Sequence, residues 1–239
     1  MILAYDGTNY HGWQCQPNAL SVQEVLSRAI GKILNHPVTV YGAGRTDSGV
    51  HAMAQVINFN TNKAIELMSL ARGVNSLLPP DIRVKDVGEA EPGFHARYSA
   101  KTKTYVYVIL NTLYGSPFLE RYVWHIPYRL NVPSMNSTAR LLMGEHDFSA
   151  FKKKNEVYKS PIRKILRAGV KRKGGIIYCV MEANGFLRYM VRNIVGTLVL
   201  VGSGKITPQE FMAVLEMGKR EKAGVTAPAR GLFLRKIKY

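Results

Sequence analysis

Three consecutive stretches decide how this chain is read: Pro37-Val38-Thr39-Val40-Tyr41, Gly44-Arg45-Thr46-Asp47-Ser48-Gly49-Val50-His51 and Ala54-Gln55-Val56-Ile57-Asn58-Phe59. The outer two are rich in β-branched and aromatic residues and predict a pair of strands. Between them Gly42, Gly44 and Gly49 permit backbone angles closed to other residues, so the connection can hold a short side chain at a fixed place. Asp47 then becomes a rigidly presented carboxylate with a cation, Arg45, two residues away. An Asp in a Gly-flanked loop is also what an Asx-turn or a cap requires. A phosphate loop is excluded. A Walker loop needs Gly-x-x-x-x-Gly-Lys opening a helix, whereas Gly42-Ala43-Gly44 runs into Arg45-Thr46-Asp47 with no helical pattern behind it.

Outward from the loop, Ile2–Tyr5 predicts a strand. Val22–Leu34 predicts a helix with Ser21 as N-cap and Val22, Val25, Leu26, Ala29, Ile30 and Ile33 along one face. A second helix is expected over 64–75 and a short strand over 82–87, after Pro79-Pro80-Asp81. The order is β-α-β-β-α-β, and it recurs. A strand over 104–110, a helix over 133–143 and a hairpin of 164–173 with Ile176–Ala183 across Gly174-Gly175 come next. Helices over 188–201 and Pro208–Met217 and a closing strand over 232–237 complete it. The repeat is one of element order, not of sequence. The predicted class is α+β, with one half over residues 1–100 and the other over 101–239.

At 239 residues and 46% hydrophobic, the chain can bury a full core as one large domain or two small ones. Two cysteines, Cys15 and Cys179, cannot build a disulfide framework or a zinc cluster, which fits a reducing cytosol. The opening apolar run is too short for a signal peptide, and the longest one, over 194–202, is less than half a bilayer span. A soluble, cytoplasmic protein is expected. The formal charge of +17 is concentrated late in the chain: residues 150–239 carry 20 Lys and Arg against 5 Asp and Glu. Residues 152–173 alone hold ten bases and one acid, Glu156, with Tyr158 and Tyr178 close by. Such a run is often a solvated face. On a compact chain this balance points instead to a polyanion, with the aromatics able to touch sugar or base.

The loop and six further motifs, in order, resemble the tRNA pseudouridine synthase A family. They are Tyr5-Asp-Gly-Thr-Asn-Tyr-His-Gly-Trp-Gln14, Phe94-His-Ala-Arg97, Lys103-Thr-Tyr105, Gly144-Glu-His-Asp-Phe148, Met190-Val-Arg-Asn-Ile-Val-Gly196 and Thr226-Ala-Pro-Ala-Arg-Gly-Leu232. Departures are Ser48 for a common alanine, Arg188-Tyr189 where two histidines often stand, and Val225 for the usual proline. The resemblance implies two ferredoxin-like halves with a joined, mostly antiparallel sheet and a central RNA-binding cleft. It also implies a homodimer acting on uridines in the tRNA anticodon arm, at positions 38 to 40, without metal or cofactor.

The resemblance makes Asp47 the nucleophile, Arg192 the cation that touches it, and Tyr105 the ring lying against the uracil. Arg45 resembles the residue that fills the base stack when the target flips out. A carboxylate removed from water is pushed toward its neutral form, and a nearby cation opposes this, so an ionised Asp47 needs such a partner. At helical spacing Arg188, Arg192 and Gly196 share one face, where Gly196 lets another backbone approach. Arg192 pairing with a structural acid or an RNA phosphate is the competing reading. By alternation alone Tyr105 and Tyr107 are both core or cross-strand aromatics. Lys152, Lys153, Lys154 and Arg188 are candidate RNA-backbone contacts. His11, His51, His95 and His146 match no zinc spacing and are read as structural, as are Asp6 and Asp147 in their turns. Two alternatives stand beside this reading: a non-catalytic RNA-binding module of duplicated ferredoxin-like units, and a related synthase acting on other RNAs.

Overall fold

The computed structural model describes all 239 residues. The chain forms two compact units, Met1–Lys101 with Phe233–Tyr239, and Thr102–Leu232. Residues 233–239, expected with the second half, fall in the first unit. The closing strand leaves the second half because its backbone pairs with a strand of the first.

In the first unit, β1 (Ile2–Tyr5), α1 (Val22–Leu34), β2 (Tyr41–Gly42), β3 (His51–Asn58), α2 (Leu67–Leu77) and β4 (Ile82–Asp86) follow the expected order. β1 lies between β4 and β3, antiparallel to both, with Tyr5 opposite Ile82 and Ala52. β10 (Leu232–Lys238) runs parallel to β3, Phe233 facing His51. The rings of those two residues stack at 4.7 Å. Ser21 caps α1 by accepting from the Glu24 amide at 3.2 Å, and Glu66 accepts from the Met68 and Ser69 amides to open α2. The strand expected over 37–41 shrinks to Tyr41–Gly42. Pro37 has no amide to give a ladder, and the Val40 carbonyl is taken by the Gln23 side chain at 2.8 Å. Leu3, Leu26, Ile30, Ile57, Val74 and Ile82 are buried and form the core.

The second unit contains β5 (Thr102–Leu110), β6 (Trp124–His125), α3 (Val132–Arg140), β7 (Gly144–Asp147), β8 (Ile162–Lys173), β9 (Ile176–Ala183), α4 (Met190–Gly202) and α5 (Pro208–Met217). Its antiparallel sheet runs β5-β9-β8-β7, with β6 parallel beside the end of β5. Register puts Tyr105, Tyr107 and Ile109 on the same face as Met181, Cys179 and Ile177. All six are buried. A capping box between Thr207 and Glu210 opens α5.

Two expectations need correction here. The 144–147 segment, read as a loop, is edge strand β7, pairing with β8 from Gly144 opposite Ile165 to Asp147 opposite Ile162. Gly144-Glu-His-Asp147 has no β-branched or apolar residue to mark a strand. The helix expected from 188 begins at Met190, because Tyr189 adopts a left-handed backbone (φ +66°) that no helix can include.

Candidate active site

Asp47 is fixed through its backbone. The Val50 amide donates to the Asp47 carbonyl at 3.1 Å, closing a tight turn in which Gly49 has a φ of +75°. On the other side the Thr46 carbonyl accepts from the Trp13 amide at 3.1 Å. The buried Thr46 hydroxyl lies 2.9 Å from that of Tyr5 on β1. Gln55 on β3 donates from Nε2 to the Gly44 carbonyl at 2.7 Å, and Ser48 donates from Oγ to the Tyr10 carbonyl at 3.2 Å. The 10–13 segment passes so close that a Cβ on Gly12 would stand 2.6 Å from the Thr46 carbonyl. A half-buried carboxylate is thus carried on a backbone bolted to two strands. Of the three loop glycines only Gly49 uses a left-handed angle; Gly42 instead makes room for the Trp13 indole. Burial pushes the Tyr5 hydroxyl up to about 12, so at neutral pH it holds Thr46 as an uncharged partner. Arg45 is exposed at the rim, its Nε donating to Gln14 at 3.1 Å.

In the second unit the two tyrosines that alternation leaves equivalent are separated. The Tyr107 hydroxyl donates to the Pro228 carbonyl at 2.7 Å; burial raises its pKa, against the charge of Arg192. Tyr105 and Phe186 meet edge to face, centroids 5.1 Å apart. Arg192 stands on the first turn of α4. Its Nε donates to the Ala227 carbonyl at 2.7 Å, and its own carbonyl accepts from the Ala227 amide at 3.2 Å. One turn later, a Cβ on Gly196 would run into the Val225 carbonyl, so glycine is what admits this backbone. The buried Asn193 completes the attachment. Its Oδ1 accepts from Thr226 Oγ1 at 2.7 Å and Arg220 Nη2 at 3.0 Å, while Nδ2 donates to the Phe151 carbonyl at 2.7 Å. Thr197 Oγ1 accepts from the Gly224 amide at 2.9 Å. Residues 220–227 are thereby strapped along α4, and the strap holds Arg192.

The sequence profile of tRNA pseudouridine synthases matches residues 1–99 and 138–239. The chain belongs to this family. It is 49% identical over 239 residues to tRNA pseudouridine synthase A of Thermoanaerobacter sp. (strain X514), covering 100% of this chain and 98% of that one. The enzymes of that name from Acetivibrio thermocellus and Geobacter sulfurreducens are 44% and 42% identical at the same coverage. A solved structure titled "Crystal Structure of a Cbf5-Nop10-Gar1 Complex" aligns with a TM-score of 0.35 and 13% identity, over 84% of this chain and 53% of that one. A likeness that loose carries no weight.

In this synthase-family chain the candidate residues fall into distinct settings. Arg188 and Lys153 gather with Arg192 around the ring of Tyr189, their charged groups 5.5, 5.9 and 4.8 Å from its centroid. Lys152 and Lys154 turn elsewhere: Lys152 Nζ donates to the Glu156 carbonyl at 2.8 Å, and Lys154 lies 4.0 Å from Glu221. Arg188 precedes α4 and so does not share its face with Arg192. Tyr158 accepts from the Arg188 amide at 2.9 Å. No three His, Cys, Asp or Glu side chains come together as a metal-binding group. Buried His51 has Nδ1 3.1 Å from both the Gly7 amide and the Asp6 carboxylate, and His95 Nδ1 accepts from the Arg97 amide at 3.1 Å. Asp6 also accepts from the Thr8 amide and hydroxyl, and Asp147 from the Ser149 amide. No helix is long and apolar enough to cross a membrane. Sequence reasoning missed Tyr189 and the Asn193–Arg220–Thr226 network. The closing motif contains Thr226, but its partners lie far away in sequence.

Proposed function

We propose that the chain isomerises uridine to pseudouridine in the anticodon arm of tRNA, at positions 38 to 40, with Asp47 as nucleophile. The reaction breaks the bond from C1′ to N1, turns the uracil and forms a bond from C1′ to C5. The C5 proton is lost and N1 regains one. Attack of the carboxylate at C1′ or at ring C6 begins with the same ionised Asp47. Arg192 is the cation that favours that ionised form. Tyr105 stacks on the uracil, a contact worth about 1–3 kcal/mol, and Arg45 fills the place of the flipped base. The enzyme acts in the cytoplasm as a homodimer, with one tRNA lying across both subunits. RNA-backbone contacts come from the basic second unit, including Arg188 and the lysines at 152 to 154.

The observation that supports this best is the Asp47 loop. The turn is pinned by the Val50 amide on the Asp47 carbonyl and by the Trp13 amide on the Thr46 carbonyl, so the carboxylate is presented at a fixed place, as a reacting group needs. The test is tritium release from tRNA labelled at uracil C5. Asp47→Asn should bring release to background while tRNA binding survives. Loss of binding as large as the loss of rate would make Asp47 a binding or structural residue. Wild-type release from Asp47→Asn would place the chemistry on another residue, and binding without release in the wild-type chain would leave a non-catalytic RNA-binding module.

A further inference from the structure

Four residues other than glycine have positive φ: Asn18, Asn35, Asn155 and Tyr189. Asparagine tolerates the left-handed region through its short polar side chain, whereas a bulky aromatic there is an outlier. Tyr189 has φ +66° and ψ −2° at the N-cap of α4, and its side chain makes no capping hydrogen bond. Neither the backbone angle nor the cap calls for a tyrosine. Strain of this kind persists where something else requires the side chain.

The ring faces Arg192. The guanidinium carbon is 4.8 Å from the Tyr189 centroid, the shortest of the three cation distances to this ring. The same guanidinium donates from Nε to Ala227, so one edge is tethered and an aromatic ring lies against it. A planar group tethered at one edge and stacked on a ring retains little freedom. Its terminal nitrogens then point one way before substrate arrives, and a preorganised charge costs no reorganisation when the reaction begins.

We propose that Tyr189 is a positioning residue that acts through Arg192, its left-handed backbone being the means by which the ring reaches the guanidinium. This rests on the catalytic reading of Arg192 given above.

The test compares Tyr189→Asn and Tyr189→Phe, alone and in an Arg192→Lys background, by kcat and KM for tRNA together with melting temperature. Asn suits the backbone angle and removes the ring. It should melt no lower than wild type yet lose about tenfold in kcat, with KM little changed. Tyr189→Phe should restore kcat. In the Arg192→Lys background, which lacks the planar group, Tyr189→Asn should cost no further kcat. Wild-type kcat in Tyr189→Asn overturns the proposal, as does a rise in KM alone, which would make the ring an RNA contact. Equal kcat losses in both backgrounds also overturn it, since the ring would then act independently of Arg192. Wild-type kcat in Arg192→Lys itself would remove the reading of Arg192, a failure visible without any Tyr189 variant.

Discussion

Tyr5 shows how a buried hydroxyl can brace the loop that carries a candidate catalytic residue. Its hydroxyl meets Thr46 at 2.9 Å, directly before Asp47, and burial lifts its pKa from 10.0 to about 12. The folded protein therefore keeps a proton that the unfolded chain gives up between those values. This contribution to stability is complete below pH 10 and is lost as pH rises toward 12. Tyr107 and Cys179 shift in the same direction, so the alkaline decline has several sources. Tyr5→Phe isolates one of them. The stability gap between wild type and Tyr5→Phe, from denaturant unfolding, should narrow by about 1 kcal/mol between pH 9 and pH 11. A constant gap would mean that the hydroxyl is not withdrawn from water. At this scale the sequence is legible where a residue has informative neighbours. Asp47 stands among glycines between two β-branched runs, and that pattern locates it. Tyr189 has no comparable signal, since a single left-handed angle leaves no periodic trace and the ring's partners become neighbours only on folding.

Helix α4 carries both Arg192 and the glycine that lets the 220–227 strap approach. Helical spacing is enough to put Arg192 and Gly196 on one face, because i and i+4 side chains lie one above the other. The place where the helix starts is not, since it depends on the backbone angle of Tyr189. The short β7 was equally hidden. Gly196→Ala should destabilise the protein by about 1–3 kcal/mol, since its Cβ meets backbone, the Val225 carbonyl, which cannot rotate away. Gly202→Ala, on the same helix, presents its Cβ to Met135 Sδ at 2.6 Å, the flexible end of a side chain, and should cost clearly less. Urea unfolding of the two variants side by side checks this; equal losses would show that the strap yields as readily as a methionine. Turnover should fall in Gly196→Ala, because the strap also holds Arg192 through Ala227.

Across the whole molecule, Asp47 and the basic run lie far apart along the chain. Asp47 lies in the unit built mainly from the nearly neutral early sequence, and the basic run lies in the other. Composition alone made that asymmetry legible, but not which bases stand clear of other partners. Lys164, Lys171 and Lys173 on β8 are exposed, whereas Lys153 approaches Tyr189 and Lys152 is engaged with Glu156. Replacing Lys164, Lys171 and Lys173 together by Ala should weaken tRNA binding. Each phosphate left without its lysine should reduce the slope of log affinity against log salt by about 0.7–0.9. The rate at saturating tRNA should hold, because uniform binding has been removed. An unchanged salt titration would show these lysines to be a solvated face. The element order of the first half was also readable, yet the short β6 and β7 of the second half were not, nor was the placing of β10, since a strand's sequence does not name its partner. That placing bears on synthesis. The unit begun by Met1–Lys101 is finished by Phe233–Tyr239, with all of Thr102–Leu232 made in between. At about 5–20 residues per second, a ribosome takes on the order of ten seconds over that stretch. Until it is done, β3 beside His51 and Ala52 waits with an open edge, the kind that pairs with other chains. The unit bearing Asp47 starts to emerge before the other and closes after it.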